Sequence, residues 1–298
     1  MHKVGIVLVN FNGEKFQNDC IKTLMLQSYE NFEIIVVDNG STDRSVDLLK
    51  SEYPNVIVIE TGSNNGVAEG NNIGIRNAIE RNCEYILLLN NDTEVDKDLI
   101  NNLMEDANES TMVTGKMYYY EPKNVIWCAG GEMNRNKATT IHYGEDTLDK
   151  GQFDQDKFVN YTPTCCLLIH KNIFNKIGLM DPKYFMYYDD TDFCIRAINS
   201  GIRILYKSSA KLWHKVSSSS GGRTSKTTLY YATRNRLYFI DKHSKNKYIS
   251  KTYFYVTRVL KFAKWILLRD RTKVKICMKA IKDANQKKLG FSANLSKL

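Results

Sequence analysis

Short apolar runs alternate with amphipathic segments over the first 110 residues, and this alternation restricts the possible folds more than any other feature. The apolar runs are Val4–Val9, Glu33–Val37, Val56–Ile59 and Tyr85–Leu89, and helical periodicity lies between them in Glu14–Gln27, Asp43–Glu52 and Gly70–Arg81. Strands separated by helices of this length form a mostly parallel sheet with helices on its faces. The sequence therefore predicts an α/β domain.

Polar clusters follow three of the apolar runs. Asn10-Phe11-Asn12 follows the first run, Asp38-Asn39-Gly40-Ser41 follows the second, and Asn90-Asn91-Asp92 follows the last. Ligands of open α/β sheets bind at the carboxyl ends of the strands. These clusters are therefore the first candidates for a binding site.

The remainder of the chain has a different pattern. Residues 111–169 predict short β-strands, Asp189–Asn199 predicts a helix, Ile202–Tyr206 and Lys211–Trp213 predict two strands, and residues 227–290 predict basic helices. The net charge is +9, yet residues 242–298 hold 16 Lys and Arg against two acidic residues, a net charge of +14, which leaves −5 for the first 241 residues. We predict a catalytic domain at residues 1–241 and a basic helical extension at residues 242–298.

The seven cysteines are scattered, with no Cys-x-x-Cys spacing, which favours free thiols in a reducing compartment over a disulfide framework or structural zinc. No signal-peptide pattern and no apolar stretch long enough to cross a bilayer is present. The expected location is cytoplasmic, with peripheral attachment to the inner face of the cell membrane as a second option.

The basic extension suggests that second option. Aromatic and aliphatic residues in Tyr253–Val256 and Trp265–Leu268 alternate with Arg258, Lys261, Lys264, Arg269 and Arg271. This pattern is typical of an amphipathic helix on an anionic membrane surface, and equally of a helix packed on the catalytic domain. Nucleic acid is disfavoured as a partner because the positive charge is terminal and the rest of the chain is acidic.

Two features predict contacts with a nucleotide. Glycines in Gly62–Gly66 and Gly70–Gly74 allow the backbone to approach a phosphate or a base closely, although the spacing matches neither a dinucleotide-binding turn nor a Walker A loop. A helix-capping turn is the alternative for this stretch. Asp38 ends an apolar strand, where a carboxylate can accept a hydrogen bond from a pyrimidine N3–H or a ribose hydroxyl.

Two acidic segments are candidates for a metal site and for a general base. Asp92 follows a strongly apolar strand and is a candidate ligand for a hard divalent cation, with His214 as a possible nitrogen ligand, while an Asx-rich turn is the alternative. Asp189, Asp190 and Asp192 open a helix, where acids are favourable with the helix dipole. Clustered carboxylates also raise one another's pKa, as a general base near neutral pH requires, and the aromatic run Tyr184–Tyr188 would supply a wall for a sugar.

The order of these motifs resembles the family 2 inverting glycosyltransferases with a GT-A fold, and is most similar to the rhamnosyltransferase-like branch that builds bacterial surface polysaccharides. The resemblance covers residues 4 to about 236 and rests on Ile6–Asn12, Val36–Asp43, Asn64–Gly66 with Gly70–Asn72, Leu89–Thr93, Tyr188–Asp192 with Arg196, His214 with Ser217–Ser220, and Tyr231 with Arg234–Arg236. It implies a GT-A fold with a central sheet flanked by helices.

The resemblance also implies roles for individual residues. Asp190 corresponds to the catalytic base with Asp189 beside it, and Asp92 with His214 corresponds to a site for Mg²⁺ or Mn²⁺ on the diphosphate. The Ser/Gly loop Lys215–Thr224 resembles a segment that orders over bound donor. The nucleotide-sugar site it implies consists of Val9, Phe11, Asn12, Asp38, Asn64, Gly66, Asn72, Asn90 and Asn91.

Two positions depart from the family pattern. Asn90 stands where the first acid of the metal-binding DxD motif is expected, and Thr164-Cys165-Cys166 replaces a Gly-Ala-like pair near the donor sugar, which narrows the choice of sugar. The predicted function is inverting transfer of a sugar, with rhamnose as one candidate, from a dTDP- or UDP-linked donor to a saccharide or lipid-linked saccharide. The alternatives are an inactive nucleotide-sugar-binding scaffold and a nucleotidyltransferase.

Overall fold

The computed structural model describes residues 1–216 and 225–293 of the 298-residue chain. The first half contains β1 (Val4–Asn10), α1 (Gln17–Met25), β2 (Phe32–Asp38), α2 (Ser45–Glu52), β3 (Ile57–Glu60), α3 (Gly66–Glu80), β4 (Tyr85–Asn90), β5 (Thr93–Val95), α4 (Leu99–Met104), β6 (Thr111–Tyr119) and β7 (Val125–Cys128). The second half contains β8 (Gly131–Asn134), β9 (Thr139–His142), β10 (Thr147–Leu148), β11 (Lys157–Val159), β12 (Cys166–His170), α5 (Lys171–Ile177), α6 (Asp189–Asn199), β13 (Arg203–His214), α7 (Lys226–His243), α8 (Lys247–Leu267) and α9 (Arg271–Asn285).

One mixed sheet forms the centre of the molecule. Its strand order is β10-β7-β6-β12-β4-β1-β2-β3, and β13 pairs with β6, β5 and β11. The four strands predicted from the N-terminal pattern, β1 to β4, pair in parallel as expected. Strand β12 joins β4 and β6 in antiparallel orientation, so the added strands make the sheet mixed.

The parallel strands are buried on both faces. Val7 and Val37 pack with Ile75 of α3 in one cluster, whereas Leu8 packs with Leu24 of α1 in the other. Helix α3 approaches β1 closely, because a Cβ at Gly74 would lie 2.2 Å from Cγ1 of Val7. Continuous apolar strands are expected where helices cover both faces of a sheet.

The prediction of two separate strands between residues 202 and 213 is wrong. Residues 202–206 and 211–213 were expected as two strands, but they belong to the single strand β13. The register against β6 shifts between Lys207 and Lys211, which marks a β-bulge. A bulge interrupts the alternation of apolar residues without ending the strand, so the sequence pattern alone predicts a break there.

The basic extension is helical, as predicted. The proposed boundary between residues 241 and 242 lies within α7 and stays a prediction. Helix α7 packs against both α8 and α9. Among the described residues, no helix is both long and apolar enough to span a membrane.

Candidate active site

Three strand ends meet at one edge of the sheet. Asn10 at the end of β1 is in register with Asp38 of β2, and Val9 is in register with Asn90 of β4. Parallel pairing therefore brings together the polar clusters that follow these strands, as the strand pattern predicts.

Asn10 connects the clusters. Its side chain is fully buried; Nδ2 donates to Oδ1 of Asp38 at 2.8 Å and to Oγ of Ser45 at 2.9 Å, and Oδ1 accepts from Nδ2 of Asn91 at 2.8 Å. A Cβ at Gly13 would lie 2.2 Å from Oδ1 of Asn10, so only glycine fits beside it. Asn10 is absent from the predicted site residues, although its place after an apolar strand made it detectable.

Both carboxylate oxygens of Asp38 accept hydrogen bonds from neighbouring groups of the protein. Its Oδ1 accepts from Asn10 and from the hydroxyl of Ser41 at 2.5 Å, and its Oδ2 accepts from the backbone N–H groups of Gly40 and Ser41 at 3.1 and 3.0 Å. Four acceptor positions are thus in use. A nucleoside N–H that binds Asp38 would share or replace one of these donors.

The other predicted nucleotide-sugar residues, except Asn72, lie at or just beyond the carboxyl ends of β1, β3 and β4. Phe11 is 43% exposed, and Oδ1 of Asn12 accepts from the backbone N–H of Thr42 at 2.8 Å. Oδ1 of Asn64 accepts from the N–H of Gly66, which begins α3. The residues placed in this way are Val9, Phe11, Asn12, Asn64, Gly66, Asn90 and Asn91.

Asn72 has a different environment. It is buried, its Oδ1 accepts from the N–H of Met180 at 2.9 Å, and its Nδ2 donates to the Met180 carbonyl at 2.9 Å. Both ends of the amide are therefore committed to one backbone segment. The side chain fastens α3 to that segment, and we leave it out of the proposed site.

Asp92 and His214 form the corner predicted to hold a metal. Strand β13 pairs with β5 so that His214 is opposite Thr93, and the backbone N–H of Lys215 donates to the Asp92 carbonyl at 2.8 Å. Nε2 of His214 lies 3.0 Å from Oδ1 of Asp92 and 3.3 Å from Nδ2 of Asn90. Both Asp92 and His214 are buried at the sheet edge.

This pair fits part of a coordination shell. Adjacent ligands of an octahedral ion with bonds of about 2.1 Å lie about 3.0 Å apart, and Mg²⁺ binds oxygen at about 2.1 Å. The observed 3.0 Å between Asp92 and His214 matches that separation and equally suits a hydrogen bond. The described residues hold no cluster of three or more His, Cys, Asp or Glu side chains suited to a metal, so an ion here would complete its shell with other oxygen ligands such as water or a diphosphate.

Asp189 and Asp190 begin α6, as predicted. Oδ2 of Asp190 accepts from the hydroxyl of Tyr161 at 2.8 Å, and Oδ1 accepts from the N–H of Thr191 at 2.6 Å. Burial raises the pKa of Asp190 while these hydrogen bonds lower it. Burial, and next the charge of Asp190, raises the pKa of Asp189 to about 8. A carboxyl in this state can take up a proton near neutral pH.

Asp192 has a different environment from the pair formed by Asp189 and Asp190. Its carboxylate binds Nε of Arg196 at 2.7 Å, Nζ of Lys242 at 2.7 Å and Nε2 of His243 at 2.6 Å. Burial raises the pKa of Asp192, but the hydrogen bond from His243 and the charges of Arg196 and Lys242 outweigh burial and hold it below the ordinary value. Asp192 is a structural anion that fastens α6 to α7.

The segment before Asp189 is strained. Phe185, Tyr187 and Tyr188 have φ angles of 67°, 63° and 68°, in the left-handed region that bulky side chains rarely adopt. Nδ2 of the fully buried Asn235 donates to the carbonyl groups of Tyr184, Met186 and Tyr187 at 2.8–2.9 Å. Strain of this kind persists only where the surroundings hold it, and it occurs often beside active sites.

The row of rings that we call the aromatic wall is formed by Trp127, His142 and Tyr161 and not by Tyr184–Tyr188. Tyr184 and Phe185 are buried in the core, so the expected wall at Tyr184–Tyr188 is wrong for these residues. Aromatic contacts instead join Tyr161 to His142 at 5.8 Å, His142 to Trp127 at 5.0 Å and Trp127 to His214 at 4.5 Å, between ring centroids. These rings connect Asp190 with the Asp92–His214 corner, and no sequence pattern indicated them.

Comparison with known proteins decides the family. The model for glycosyl transferase family 2 matches residues 5–178, which is more than half of the chain. The chain belongs to this family.

Named relatives of this family 2 chain are glycosyltransferases. The low-salt glycan biosynthesis hexosyltransferase Agl10 of Haloferax volcanii is 28% identical over 67% of this chain and 63% of its own length. The dTDP-rhamnosyl transferase RfbF of Shigella flexneri is 26% identical over 72% of this chain and 69% of its own. The N-acetylglucosaminyl-diphospho-decaprenol L-rhamnosyltransferase of Mycobacterium tuberculosis is 22% identical over 80% and 84%. The chain thus spans less than two thirds of the archaeal relative.

Solved structures confirm the predicted GT-A fold of this family 2 chain. GalNAc-T7 with UDP, GalNAc and Mn²⁺ aligns with a TM-score of 0.62 at 14% identity, covering 78% of this chain and 47% of that one. Staphylococcus aureus TarS residues 1–349 with UDP-GlcNAc aligns with a TM-score of 0.58 at 16% identity, covering 96% and 81%. At these identities the likeness shows the fold alone.

Two predictions concern the region around the donor sugar. The Ser/Gly loop expected to order over the donor falls largely on residues 217–224, outside the described residues. The backbone N–H of Asn90 donates to the carbonyl of Cys165 at 3.0 Å, so Cys165 lies beside the end of β4. A narrowed donor-sugar site at Thr164–Cys166 stays a prediction.

Proposed function

We propose that this chain transfers a sugar from a nucleotide diphosphate donor to an acceptor hydroxyl with inversion at the anomeric carbon. The observation that carries the proposal is Asp190, a partly exposed carboxyl with a raised pKa. It is linked by Tyr161 and the aromatic wall to the Asp92–His214 corner at the strand ends. Family membership supports the same reaction.

In the proposed mechanism the acceptor hydroxyl attacks the anomeric carbon opposite the diphosphate. Asp190 takes the hydroxyl proton on Oδ2 or Oδ1 as the new bond forms, a contribution of roughly 10²–10⁴-fold to the rate. Tyr161 orients this carboxylate, and Asp189 stands beside it as a buried, largely protonated neighbour below its pKa of about 8. A single displacement needs no covalent enzyme intermediate.

The donor side is proposed at the strand ends. Asp38 and Asn64 with Gly66 would border the nucleoside, Asn90 and Asn91 would face the diphosphate, and Asp92 with His214 would hold Mg²⁺ or Mn²⁺. The ion would neutralise charge on the departing diphosphate. The Mn²⁺ in the GalNAc-T7 structure supports this proposal. A dTDP- or UDP-linked sugar, with rhamnose as a candidate, is supported by the named rhamnosyltransferase relatives.

The acceptor is proposed to be a saccharide or lipid-linked saccharide, with the protein at the inner face of the cell membrane. Helix α8 supports this location because apolar side chains point away from the body along one side, namely Val256, Val259, Leu260, Ile266 and Leu267. Phe254 and Arg258, expected on the membrane-facing helix surface, are buried instead. Replacing Leu260 and Leu267 with Ser should abolish sedimentation with phosphatidylglycerol vesicles, and unchanged sedimentation would contradict the membrane proposal.

A single substitution tests the catalytic assignment. Asp190→Asn removes the base while keeping the size of the side chain, so we expect transfer to fall by at least about 10²-fold with donor binding nearly unchanged. Asp47→Asn on α2 is the matched control, since Asp47 is exposed and far from Asp190 in the sequence. The measurement is single-turnover transfer with radiolabelled donor; transfer at the wild-type rate by Asp190→Asn excludes Asp190 as the base.

A further inference from the structure

A group of cations outside the proposed donor site has no anionic partner among the residues that the structure describes. Arg236 of α7 and Arg258 of α8 are only 7% and 8% exposed. Their guanidinium carbons lie 5.5 and 5.3 Å from the centroid of the Phe254 ring. The two guanidiniums therefore share one aromatic ring inside the protein.

The charge of this group is not compensated within the described residues. Over residues 1–216 and 225–293, no carboxylate lies within 4.0 Å of a side-chain nitrogen of Arg236, Arg258 or Lys261. The Nε atoms of Arg236 and Arg258 are buried and have no hydrogen-bond partner within this described part of the chain. Partial desolvation, and next repulsion from Arg258 and Arg236, lowers the pKa of Lys261. The aromatic contact offsets only part of the unfavourable burial of like charges.

The group lies beside the catalytic pair. Arg236 donates to the carbonyl of Lys137 at 2.6 Å, and the hydroxyl of Tyr188 donates to the next carbonyl, that of Ala138, at 2.9 Å. The pKa of Tyr188 is raised to about 12, mainly by burial. The charges of Arg236 and Arg258 lower this pKa and the charge of Asp190 raises it, so all three charges act on the Tyr188 hydroxyl. Tyr188 directly precedes Asp189, so its hydrogen bond to Ala138 connects the segment that binds Arg236 to the start of α6.

We propose that Arg236, Arg258 and Lys261 form a binding site for a phosphate or diphosphate group of the acceptor. Guanidinium groups bind phosphate oxygens through paired N–H donors, and a dianion would offset two of the three positive charges that the described residues leave without a carboxylate. The proposal rests on the proposed function, because it assigns the acceptor side of the same reaction. The donor diphosphate is assigned to the other end of the aromatic wall, at Asp92 and His214.

The outward apolar side of α8 does not account for these cations. Arg258 packs toward the body, whereas Val256, Val259 and Leu260 are exposed. Membrane contact through those residues would leave Arg258 on the protein side of the helix. A phosphate held there would keep the attached sugar on the protein side of α8 rather than in the bilayer.

Binding of inorganic pyrophosphate and of farnesyl diphosphate to the full chain, measured by calorimetry in EDTA, tests the site. We expect both ligands to bind, more weakly as salt increases, and Arg258→Met and Lys261→Gln each to weaken binding at least about tenfold. Lys251→Gln is the matched control: it is on the same helix, undergoes the same change and pairs with Asp241. Tighter binding of farnesyl diphosphate identifies a lipid-linked acceptor, and equal binding identifies a phosphorylated saccharide; both support the site.

Two results would overturn the proposal. One is wild-type binding that Arg258→Met and Lys261→Gln both leave unchanged, and the other is no binding of either ligand. The exposed Lys261 variant keeps the test decisive if Arg258→Met fails to fold. Pyrophosphate binding requires neither donor nor turnover, so it can be measured even if the wild-type protein transfers no sugar. If the variants then lose pyrophosphate binding while the wild type shows no transfer, the anion site is retained and only the proposed function is refuted.

Discussion

Asp189→Asn should change how the stability of the protein depends on pH. The pKa of Asp189 rises from 3.8 to about 8 in the folded state because the carboxyl is buried beside Asp190. Below pH 3.8 the group is neutral in both states and has no effect. Above that pH the unfolded chain releases the proton while the folded chain keeps it, so wild-type stability falls until the pH passes about 8.

The size of this effect follows from the same pKa. Each tenfold change in an acid constant corresponds to about 1.4 kcal/mol, so the stability advantage of Asp189→Asn over wild type should grow by about 1.4 kcal/mol per pH unit between pH 5 and 7. Across the whole range the gain approaches about 6 kcal/mol at most. Asparagine imitates the protonated acid and avoids the buried charge.

Urea denaturation at pH 5, 6, 7 and 9 measures this difference. Asp47→Asn provides the control for loss of an exposed carboxylate, and its stability difference from wild type should stay nearly constant with pH. A difference between Asp189→Asn and wild type that does not grow from pH 5 to pH 7 would refute the assignment of a buried, protonated Asp189.

Four other substitutions test the site. Tyr161→Phe removes a hydrogen bond that lowers the pKa of Asp190, so the acidic limb of kcat/KM against pH should move to higher pH; an unmoved limb contradicts the contact. Asp92→Asn or His214→Gln should weaken Mn²⁺-dependent binding of the nucleoside diphosphate at least about tenfold in calorimetry, and equal affinity contradicts the metal corner. Asn10→Ala should lower the free energy of unfolding in urea by about 1–3 kcal/mol, because Asp38 and Asn91 lose a buried partner; no loss contradicts the network.

The sequence predicted the parallel part of the fold well for a physical reason. Strands β1, β2 and β4 are buried on both faces, so they are continuously apolar and their polar ends are conspicuous. The same reasoning located Asp38 and Asp92, because a polar residue directly after such a strand must lie at the sheet edge. Local sequence therefore carries most of the information about this half of the site.

The other half depends on contacts between distant segments. The wall that joins Asp190 to His214 uses Trp127, His142 and Tyr161, which lie on separate short strands or loops. Asp192 looked equivalent to Asp190 in the sequence, and only folding of α7 brings His243 to it. Contacts of this kind leave no periodic pattern, so they became visible only in three dimensions.

The sequence of the basic extension likewise did not predict which of its cations are buried. Its positive charge was evident, but the sequence did not distinguish cations in solvent from cations inside the protein. Arg258 is three residues from Tyr255 and Lys261, both of which are exposed, yet its own side chain is buried against Phe254. Helical spacing predicts which residues share a face, whereas the face that meets the body is set by packing against α7 and α9.

Product analysis after incubation with a panel of dTDP- and UDP-sugars, an acceptor saccharide and Mn²⁺ is the decisive test of inverting sugar transfer by this chain. We predict release of nucleoside diphosphate in equal amount to transferred sugar, with the anomeric configuration of the new linkage, measured by NMR, opposite to that of the donor. Release of pyrophosphate would identify nucleotidyl transfer instead. Retained anomeric configuration, or donor binding with no turnover of any donor, would contradict inverting transfer with Asp190 as the base.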